Sequence, residues 1–304
     1  MSFSVFLSEN IKTSKYTRTE LIAKLNLYHT EFKNLDSVTL SRWCTKKTTP
    51  TLRKQILLCL FFDRDLISFI KQGQYEINHS FKTTKKKHND FMLDIEKSYT
   101  NISYYYTEED KKNYQVIINT AQEHKKKFKV FYENFHICMK FHAFLIENNV
   151  RIDTITIEEI INNKISSHES FAYFKSTEAY LFCKFFNIKK HPSQFWFSKP
   201  GYQKSKQSLE VTSALFTHII LLSKKYDIYT LIRGDVAYLN AQALGYVQIG
   251  TTYIEKKHKI YLCYGNIIDI LSNPYVIYKL NRLYNKYDLD KYINNHDIET
   301  YMRS

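Results

Sequence analysis

Residues 37–54 (SVTLSRWCTKKTTPTLRK) carry side chains that could contact double-stranded DNA. Leu40 and Trp43 are three residues apart, so they fall on one face of a short helix and leave the opposite face free. Short polar side chains near the start of such a helix, with an arginine to pair with guanine, are the groups that read base edges in a major groove. The pattern predicts base contacts from Ser37, Val38, Ser41 and Arg42.

Basic and hydroxyl side chains flank this segment. Such side chains contact phosphate oxygens, which position a protein on DNA without reading its sequence. The residues that we expect to contact phosphate are Thr17, Arg18, Lys46, Lys47, Thr48, Arg53 and Lys54. The alternative is a small helical bundle with a basic, solvated face.

The sequence contains no strong motif for a metal site or for a hydrolase. His136, Cys138 and His142 lie within seven residues, but on a helix we expect them to point in different directions, as core or surface residues. The five cysteines form no CxxC pair, so we expect reduced thiols and no zinc site. No GxSxG motif marks a nucleophilic serine.

The net charge of +14 predicts a polyanionic partner, either nucleic acid or an acidic surface. Residues 1–88 hold 16 Lys and Arg against 7 Asp and Glu, which makes the front of the chain the basic part. The 25 Tyr and 21 Phe could stack on bases, although strand cores explain them more simply. The apolar runs are too short to cross a membrane, and we expect a cytoplasmic protein without a membrane partner.

Hydrophobic periodicity predicts an α+β multidomain chain, with an all-α bundle followed by a mixed α/β sheet. The predicted segments are a helical domain at 1–72, a basic linker and helix at 73–99, an α/β domain at 100–270 and a helical tail at 271–304. The linker interpretation rests on residues 82–90 (KTTKKKHND), which show no apolar periodicity.

Within the α/β domain, residues 101–110 are predicted to hold a strand followed by the start of a helix, and strands are predicted at 170–175, 179–186, 193–198 and 227–233. Helices are predicted at 208–226 and before Gly245, and a hairpin at 246–265. Apolar residues at 276, 280, 283 and 287 form a stripe that must cover either the parent domain or a second subunit. A homodimer is therefore expected.

The N-terminal region resembles the Xre (Cro/C1-type) helix-turn-helix family over residues 3–70. The resemblance rests on TELIAKLNL and VTLSRWCTKKTTPTLRKQ, with Cys44 and Lys46 where the family has glutamate and glycine. The turn YHTEFKNLD is also longer than is usual in the family. The resemblance implies a bundle that binds duplex DNA.

Residues 227–265 are similar to the last third of the GNAT acyltransferase fold, and the similarity extends over about 100–270. It implies a cleft between the fourth and fifth strands, and a Q/R-x-x-G-x-G/A turn that cradles the pyrophosphate of acyl-CoA. The corresponding letters here are QKSKQS, which gives acyl-CoA contacts from Gln203, Lys204, Lys206 and Ser208. The family's tyrosine acid corresponds to Ala241, and Tyr238 is the candidate substitute.

These features favour a sequence-specific DNA-binding transcription regulator whose GNAT-like domain senses a ligand or mediates dimerisation. That hypothesis requires no catalytic residue, cofactor or metal, and acyl-CoA is its candidate ligand. One alternative is an active N-acyltransferase that uses acyl-CoA and carries an appended DNA-binding domain. The other is an interaction scaffold in which both domains bind protein.

Overall fold

A large mixed sheet and many helices make up the chain, as the sequence predicts. The computed structural model describes residues 1–75, 79–99, 112–189, 192–255 and 257–303. The chain divides into a helical unit, Met1–Lys82 with Leu271–Lys286, and an α/β unit, Thr83–Ile270 with Tyr287–Ser304. The predicted strand and helix start at 101–110 lie outside the described residues.

The helical unit contains α1 (Phe3–Thr13), α2 (Arg18–Tyr28), a 3-10 turn (Thr30–Phe32), α3 (Ser37–Cys44), α4 (Leu52–Phe61), α5 (Leu66–Gln72) and α13 (Pro274–Lys286). Thr17 and Glu20 form a capping box at the start of α2. Asp36 caps α3, because its Oδ1 accepts a hydrogen bond of 2.6 Å from the backbone N–H of Thr39.

The long turn between α2 and α3 is packed into the unit. Phe32 and Leu35 are buried there, together with Leu40 and Trp43 of α3. The extra residues of YHTEFKNLD therefore contribute apolar side chains to the core. This packing fixes the direction in which α3 leaves the turn.

Helix α13 belongs to the helical unit, although the sequence predicts a separate tail. Leu280 and Leu283 of the predicted stripe are buried, with Ile277 beside them. The Asn281 side chain donates a hydrogen bond of 2.7 Å to the carbonyl oxygen of Ile70, near the end of α5. The stripe thus packs within the chain, and the expected dimer stays a prediction.

Residues 82–90 are helical, which corrects the prediction of a solvated linker. They lie inside α6 (His79–Tyr99), where Thr84, His88 and Met92 are buried at intervals of four residues. His88 Nδ1 lies 3.1 Å from the side-chain oxygen of Asn240, which is also buried. The stripe escaped detection because a threonine and a histidine occupy two of its positions.

The sheet of the α/β unit has the strand order β1-β2-β3-β4-β5-β8-β6, with β7 also paired to β8. Its strands are β1 (Lys112–Asn119), β2 (Thr154–Ile161), β3 (Lys164–Lys175), β4 (Gln194–Ser198), β5 (Asp227–Arg233), β6 (Val247–Gln248), β7 (Tyr253–Glu255) and β8 (His258–Asn266). Its helices, besides most of α6, are α7 (Ala121–Tyr132), α8 (His136–Glu147), α9 (Ser176–Phe186), α10 (Lys206–Ser223), α11 (Asp235–Leu244), α12 (Ile267–Leu271) and α14 (Asn295–Arg303).

Strands β4 and β5 form the parallel pair of this otherwise antiparallel sheet. Their register covers three residue pairs and ends with Ser198 opposite Thr230. Beyond it the chain stays beside β3, since the N–H of Lys199 donates to Ser170 and the N–H of Tyr202 donates to His168, each at 2.9 Å. Strand β5 instead continues along β8, so the two parallel strands diverge.

Residues 179–186 (AYLFCKFF) are helical, which corrects the prediction of a strand. They lie in α9, where Leu181, Phe182 and Phe186 are buried. Its exposed positions in this run, Tyr180 and Lys184, are four residues apart, and because one of them is an aromatic tyrosine the polar face of the helix is not visible in the sequence. Asn187 ends it in the left-handed conformation, with φ of 54°.

Helices cover both faces of the sheet. Helices α7, α8 and α9 contribute to an aromatic core that includes Phe174 and Phe197. On the other face, Phe216 of α10 lies 4.7 Å from Phe171 of β3, measured between ring centroids.

Candidate functional site

A cavity of about 380 Å³ lies between the sheet and the pair α7 and α8. Ala172, Phe174 and Phe197 of β3 and β4 line it, together with Phe141 and Leu145 of α8. All five of these side chains are buried. This volume falls in the size range of small-molecule pockets, and the walls are mostly apolar, as such pockets require.

The polar lining of this cavity is basic. Among the described residues no aspartate or glutamate lines it, whereas six basic side chains do: His124, Lys125, Lys129, His142, Arg151 and Lys199. Lys125, Lys129 and Arg151 are exposed, while His124 is buried and His142 and Lys199 are partly buried. The cavity therefore offers positive charge to a ligand and no carboxylate to repel an anion.

Lys199 enters the cavity because of its place after β4. Side chains alternate along a strand, so Lys199 continues the face of Phe195 and Phe197. Its Nζ donates a hydrogen bond of 2.9 Å to the Oγ1 of Thr154, the first residue of β2. Burial lowers the pKa of Lys199 to about 8. The side chain is therefore charged at neutral pH, but the folded protein disfavours that charge.

Two histidines in the cavity wall are neutral at pH 7. Burial, followed by the charge of Lys199, lowers the pKa of His124 to about 2. Burial also lowers the pKa of His142. The Nε2 atoms of both rings are buried and have no hydrogen-bond partner among the described residues. Lys199 is therefore the inner group that carries charge.

A row of buried polar side chains fixes α7 against β1 and β2. Glu158 is buried on β2, and its carboxylate lies 2.5 Å from the Nζ of Lys127 and 2.9 Å from the Nε2 of Gln115. Asn119 donates to the hydroxyl of Thr156 at 3.2 Å. The nearby acid is thus already neutralised by a lysine that lies outside the cavity.

A second candidate feature is the cleft where β4 and β5 diverge. Gly201 permits the close approach of the chain to β3 there, because a Cβ at this position would lie 2.7 Å from the carbonyl oxygen of His168. Glu169, next along β3, points to the opposite face from His168. Burial raises the pKa of Glu169 to about 7, although a hydrogen bond with Thr212 opposes the shift.

The phenol of Tyr246 lies close enough to Glu169 for their charges to interact. Burial raises the pKa of Tyr246 first, and the negative charge of Glu169 adds to the rise. Tyr246 follows Gly245, which ends α11 with φ of 112° and needs glycine for that conformation. A carboxyl group that titrates near pH 7 is suited to proton transfer.

The buried carboxylate of Glu159 lies beside the first turn of α10. Both oxygens of Glu159 lie 2.9 Å from the hydroxyl of Ser208, which donates to them, and Ser167 and Tyr114 also donate, at 2.9 and 3.0 Å. Burial alone would raise the pKa of Glu159, but hydrogen bonds from Ser166, Ser167, Ser208 and Tyr114 outweigh it and lower the pKa. Glu159 therefore stays ionised beside the positive end of a helix dipole.

The predicted contacts to acyl-CoA lie around this turn. Gln203 donates its side-chain N–H to the carbonyl oxygen of His168 at 3.4 Å, and the N–H of Lys204 donates to the Ser167 hydroxyl at 3.0 Å. Lys206 is exposed. With Glu159 ionised beside Ser208 and no glycine in the turn, these residues do not fit a pyrophosphate cradle.

Tyr238 lies on α11, where it stacks on Tyr261 of β8 with ring centroids 4.0 Å apart. Its hydroxyl accepts a hydrogen bond of 2.7 Å from the side chain of Gln242. Ala241 is buried in the same helix. The phenol of Tyr238 is thus held in one orientation and is only partly buried.

The residues predicted to read DNA occupy the outer edge of α3. Ser37, Val38 and Arg42 are exposed and Ser41 is partly buried. Of the predicted phosphate contacts, Thr17, Arg18, Lys46, Lys47 and Thr48 are exposed, and Arg53 and Lys54 are partly buried. Arg53 lies 3.3 Å from a carboxylate oxygen of Glu31, so its charge is partly neutralised within the chain.

Sequence reasoning missed the cavity. Cys138 and His142 are four residues apart on α8 and both line it, so the expectation of different directions is wrong for this pair, whereas His136 is exposed and does not line the cavity. That spacing was the available signal. His124, Lys199 and Thr154 come from three other segments, and only the fold brings them together.

Among the described residues no group of His, Cys, Asp or Glu is arranged to hold a metal ion. The five cysteines are free thiols. None of the helices described combines the length and apolar character needed to cross a bilayer.

No protein-family model matches the chain, and no curated protein is significantly similar to it in sequence. Some solved structures are similar at low levels. FeeM, an N-acyl amino acid synthase from uncultured soil microbes, has 9% identity and a TM-score of 0.38, covering 54% of this chain and 95% of its own.

Two CoA-dependent acyl-homoserine lactone synthases are also similar. MesI has 11% identity and a TM-score of 0.33, covering 57% of this chain and 95% of its own. BjaI, with SAM and isopentyl-CoA, has 10% identity and a TM-score of 0.34, covering 56% of this chain and 89% of its own. Similarity at this level does not show that the chain shares their activities, and nothing in these comparisons supports the resemblance to helix-turn-helix regulators.

Proposed function

We propose that the α/β unit is an N-acyltransferase, which moves an acyl group from a thioester to an amine. The observation that carries the proposal is the divergence of the parallel strands β4 and β5 after Ser198 and Thr230. Three antiparallel strands, β1, β2 and β3, lead to this pair, and a helix and a hairpin close the sheet behind it. This is the cleft between the fourth and fifth strands that the GNAT resemblance implies.

The proposed reaction needs a base for the amine and an acid for the leaving thiolate. Glu169 is the candidate base, since its pKa of about 7 lets it accept a proton at neutral pH. As the nitrogen forms its bond to the acyl carbon, its proton passes to the Glu169 carboxylate. The carbon–sulfur bond then breaks, and the thiolate takes a proton from a phenol, for which Tyr238 is the candidate.

The proposed acyl donor is a thioester, and the proposal does not specify the group that carries the sulfur. Because the first turn of α10 does not fit a pyrophosphate, we expect little discrimination between an acyl-CoA and a thioester without a nucleotide. Decanoyl-CoA and decanoyl-N-acetylcysteamine are suitable donors for the full-length protein.

The test measures thiol release from both donors with a mixture of amino acids and polyamines as acceptors. Amine-dependent release that Glu169→Gln abolishes would support the proposal. Glu147→Gln is the matched control, because Glu147 is exposed at the end of α8 and far in sequence from the cleft residues. If no thioester gives amine-dependent release, the acyltransferase proposal fails.

A second candidate function is DNA binding by the helical unit, with the α/β unit as its ligand-sensing or dimerising part. The observation in its favour is the free outer edge of α3, where Ser37, Val38 and Arg42 are exposed while Leu40 and Trp43 are buried. Duplex binding that weakens steeply as salt rises is the expected behaviour. Absence of any duplex binding at low salt would rule this candidate out.

A further inference from the structure

We infer that the cavity beneath α7 and α8 binds an apolar carboxylate such as a fatty acid, with its carboxylate at Lys199 and its chain against the aromatic wall. The inference goes beyond acyl transfer and does not depend on it. It rests on the chemistry of the walls, which combine one deep ammonium group, a basic mouth and an apolar interior.

The head of the ligand is assigned by charge. Lys199 reaches the cavity with Thr154 as its hydrogen-bond partner, and no acidic side chain of the described residues lines the cavity to balance it. An ammonium that is partly removed from water and lacks a counter-ion is unfavourable, and a ligand carboxylate would supply that counter-ion. The unpartnered Nε2 atoms of His124 and His142 would also gain a polar neighbour.

A single negative charge fits better than a phosphate. Both inner histidines are neutral at pH 7, so Lys199 provides one positive charge at depth. The Thr120 hydroxyl and the Glu123 carboxylate already cap the first turn of α7, the nearest helix N-terminus. A phosphate dianion would therefore lack both a second inner cation and a free helix end.

The tail is assigned by the remaining walls. Phe141, Leu145, Phe174 and Phe197 are each less than 7% exposed, and Ala172 leaves room between β2 and β4 because its side chain is small. These side chains continue into the aromatic core of the unit. An alkyl or aromatic body would bury its surface there, at about 25 cal/mol for each Å² removed from water.

Basic side chains at the mouth of the cavity would attract a negatively charged ligand. Lys125 on α7 and Arg151 after α8 are exposed at its edge, together with Lys129, which lies 3.8 Å from Glu133. Lys126, the next residue after Lys125, does not line the cavity. Adjacent lysines of the same helix thus provide a matched pair of positions.

The experiment uses titration calorimetry of the full-length protein with decanoate and with decan-1-ol, its neutral counterpart. We expect decanoate to bind at one site and at least about tenfold more tightly than the alcohol. Lys199→Met should remove that preference without weakening binding of the alcohol. Lys125→Met should weaken decanoate severalfold, and Lys126→Met should leave it unchanged.

A pH series on the wild-type protein keeps the test independent of whether Lys199→Met folds. The titratable groups that line the cavity with Lys199 are His124, Lys125, Lys129 and Tyr132 from α7, Cys138 and His142 from α8, and Arg151 at the mouth. Burial raises the pKa of Cys138 to about 12, so Lys199 is the inner group that changes charge between pH 8 and 10. Decanoate affinity should fall by about tenfold per pH unit above 8, and decanol affinity should stay constant.

Equal affinities for the acid and the alcohol would overturn the inference, because the cavity would then bind neutral amphiphiles. Tighter binding of decyl phosphate than of decanoate would overturn the assignment of a carboxylate. Failure of all three ligands to bind would overturn the site itself. None of these results bears on thioester turnover, which is measured separately.

Discussion

The ammonium group of Lys199 and the hydroxyl of Thr154 meet at 2.9 Å across the floor of the cavity. Thr154 is the first residue of β2, and Lys199 follows β4 directly. Ala172 of β3, the strand between them, also lines the cavity. The small side chain of Ala172 allows the long one of Lys199 to cross the floor. Thus strand order and a small neighbouring side chain together place this partly buried lysine.

Replacing Lys199 with methionine should stabilise the folded protein. The pKa of Lys199 falls from 10.5 to about 8 on folding, so the folded state disfavours the charged form. This penalty is fully present below pH 8 and disappears as the pH rises above 10.5. We expect Lys199→Met to gain about 1–3 kcal/mol at pH 7 and much less at pH 10.

Urea unfolding at the two pH values measures this gain. Lys126→Met is the control, because Lys126 is exposed on α7 and should change stability by less than about 0.5 kcal/mol. A loss of stability in Lys199→Met at pH 7 would show that the lysine is satisfied without a ligand.

The pH profile of acyl transfer should reflect Glu169. Its raised pKa, about 7, means that the fraction able to accept a proton increases as the pH passes through 7. The rate should therefore rise across pH 6 to 8 in the wild type. In Glu169→Gln the residual rate should be lower by about 10²–10⁴-fold and should lose that rise. An unchanged profile in the variant would assign the base elsewhere.

Glu159→Gln should destabilise the α/β unit at neutral pH. Burial raises the pKa of Glu159, but four hydroxyl donors outweigh it, so the net pKa lies below the unfolded value. The stability that the carboxylate contributes is present above the unfolded pKa and is lost as the pH falls through the folded one. We expect a loss of about 2–4 kcal/mol at pH 7.

The difference between Glu159→Gln and the wild type should shrink as the pH falls below 4.5, because the carboxyl takes up a proton first in the unfolded chain and, at a lower pH, in the folded one. Denaturant unfolding at pH 7, 5 and 3 gives this comparison, with Glu147→Gln as the exposed control. A constant difference at all three values would mean that packing, and not charge, accounts for the loss.

Lys46→Gly should stabilise the helical unit. Lys46 adopts φ of 58°, in the left-handed region that glycine enters without strain. It follows α3, where the N–H of Lys47 donates to the carbonyl oxygen of Arg42 at 2.9 Å. A gain of about 0.5–1 kcal/mol is expected from thermal or urea unfolding. Thr48→Gly is the comparison, and an equal gain there would argue against relief of strain at residue 46.

Arg42→Ala and Lys47→Ala should separate base reading from phosphate contact. Loss of Arg42 should cost about 1–3 kcal/mol at the preferred sequence and relax the preference at one position. Loss of Lys47 should weaken all duplexes similarly and reduce the salt dependence. Competition binding with selected and random duplexes measures both effects. Equal losses on every duplex from both variants would contradict base reading by α3.

Local signals in the sequence predicted many of the elements. Gly245, which is predicted to end α11, does so through its left-handed backbone conformation. Residues 208–226 and 227–233 follow helical and strand patterns that the structure confirms. Such features depend on a few neighbouring residues, which a single sequence contains.

Other parts of the fold depended on contacts that the sequence does not display. Helix α9 is predicted as a strand because an aromatic residue, Tyr180, stands on its exposed face and hides the helical period. The stripe on α6 was missed because His88 satisfies a buried position through Asn240, which is distant in the chain. The cavity needed the register of β2, β3 and β4 before Lys199 and Thr154 could be placed together.

The buried carboxylate of Glu159 also limits how this chain could change. It lies 49 residues from Ser208 in sequence and already balances the positive end of α10 from inside the protein. Installing a glycine-rich turn at 203–208 would open the backbone, yet the fixed negative charge would still repel incoming phosphates. Conversion of this turn into a nucleotide-binding loop, in a relative or by engineering, thus requires coupled substitutions on β2 and α10.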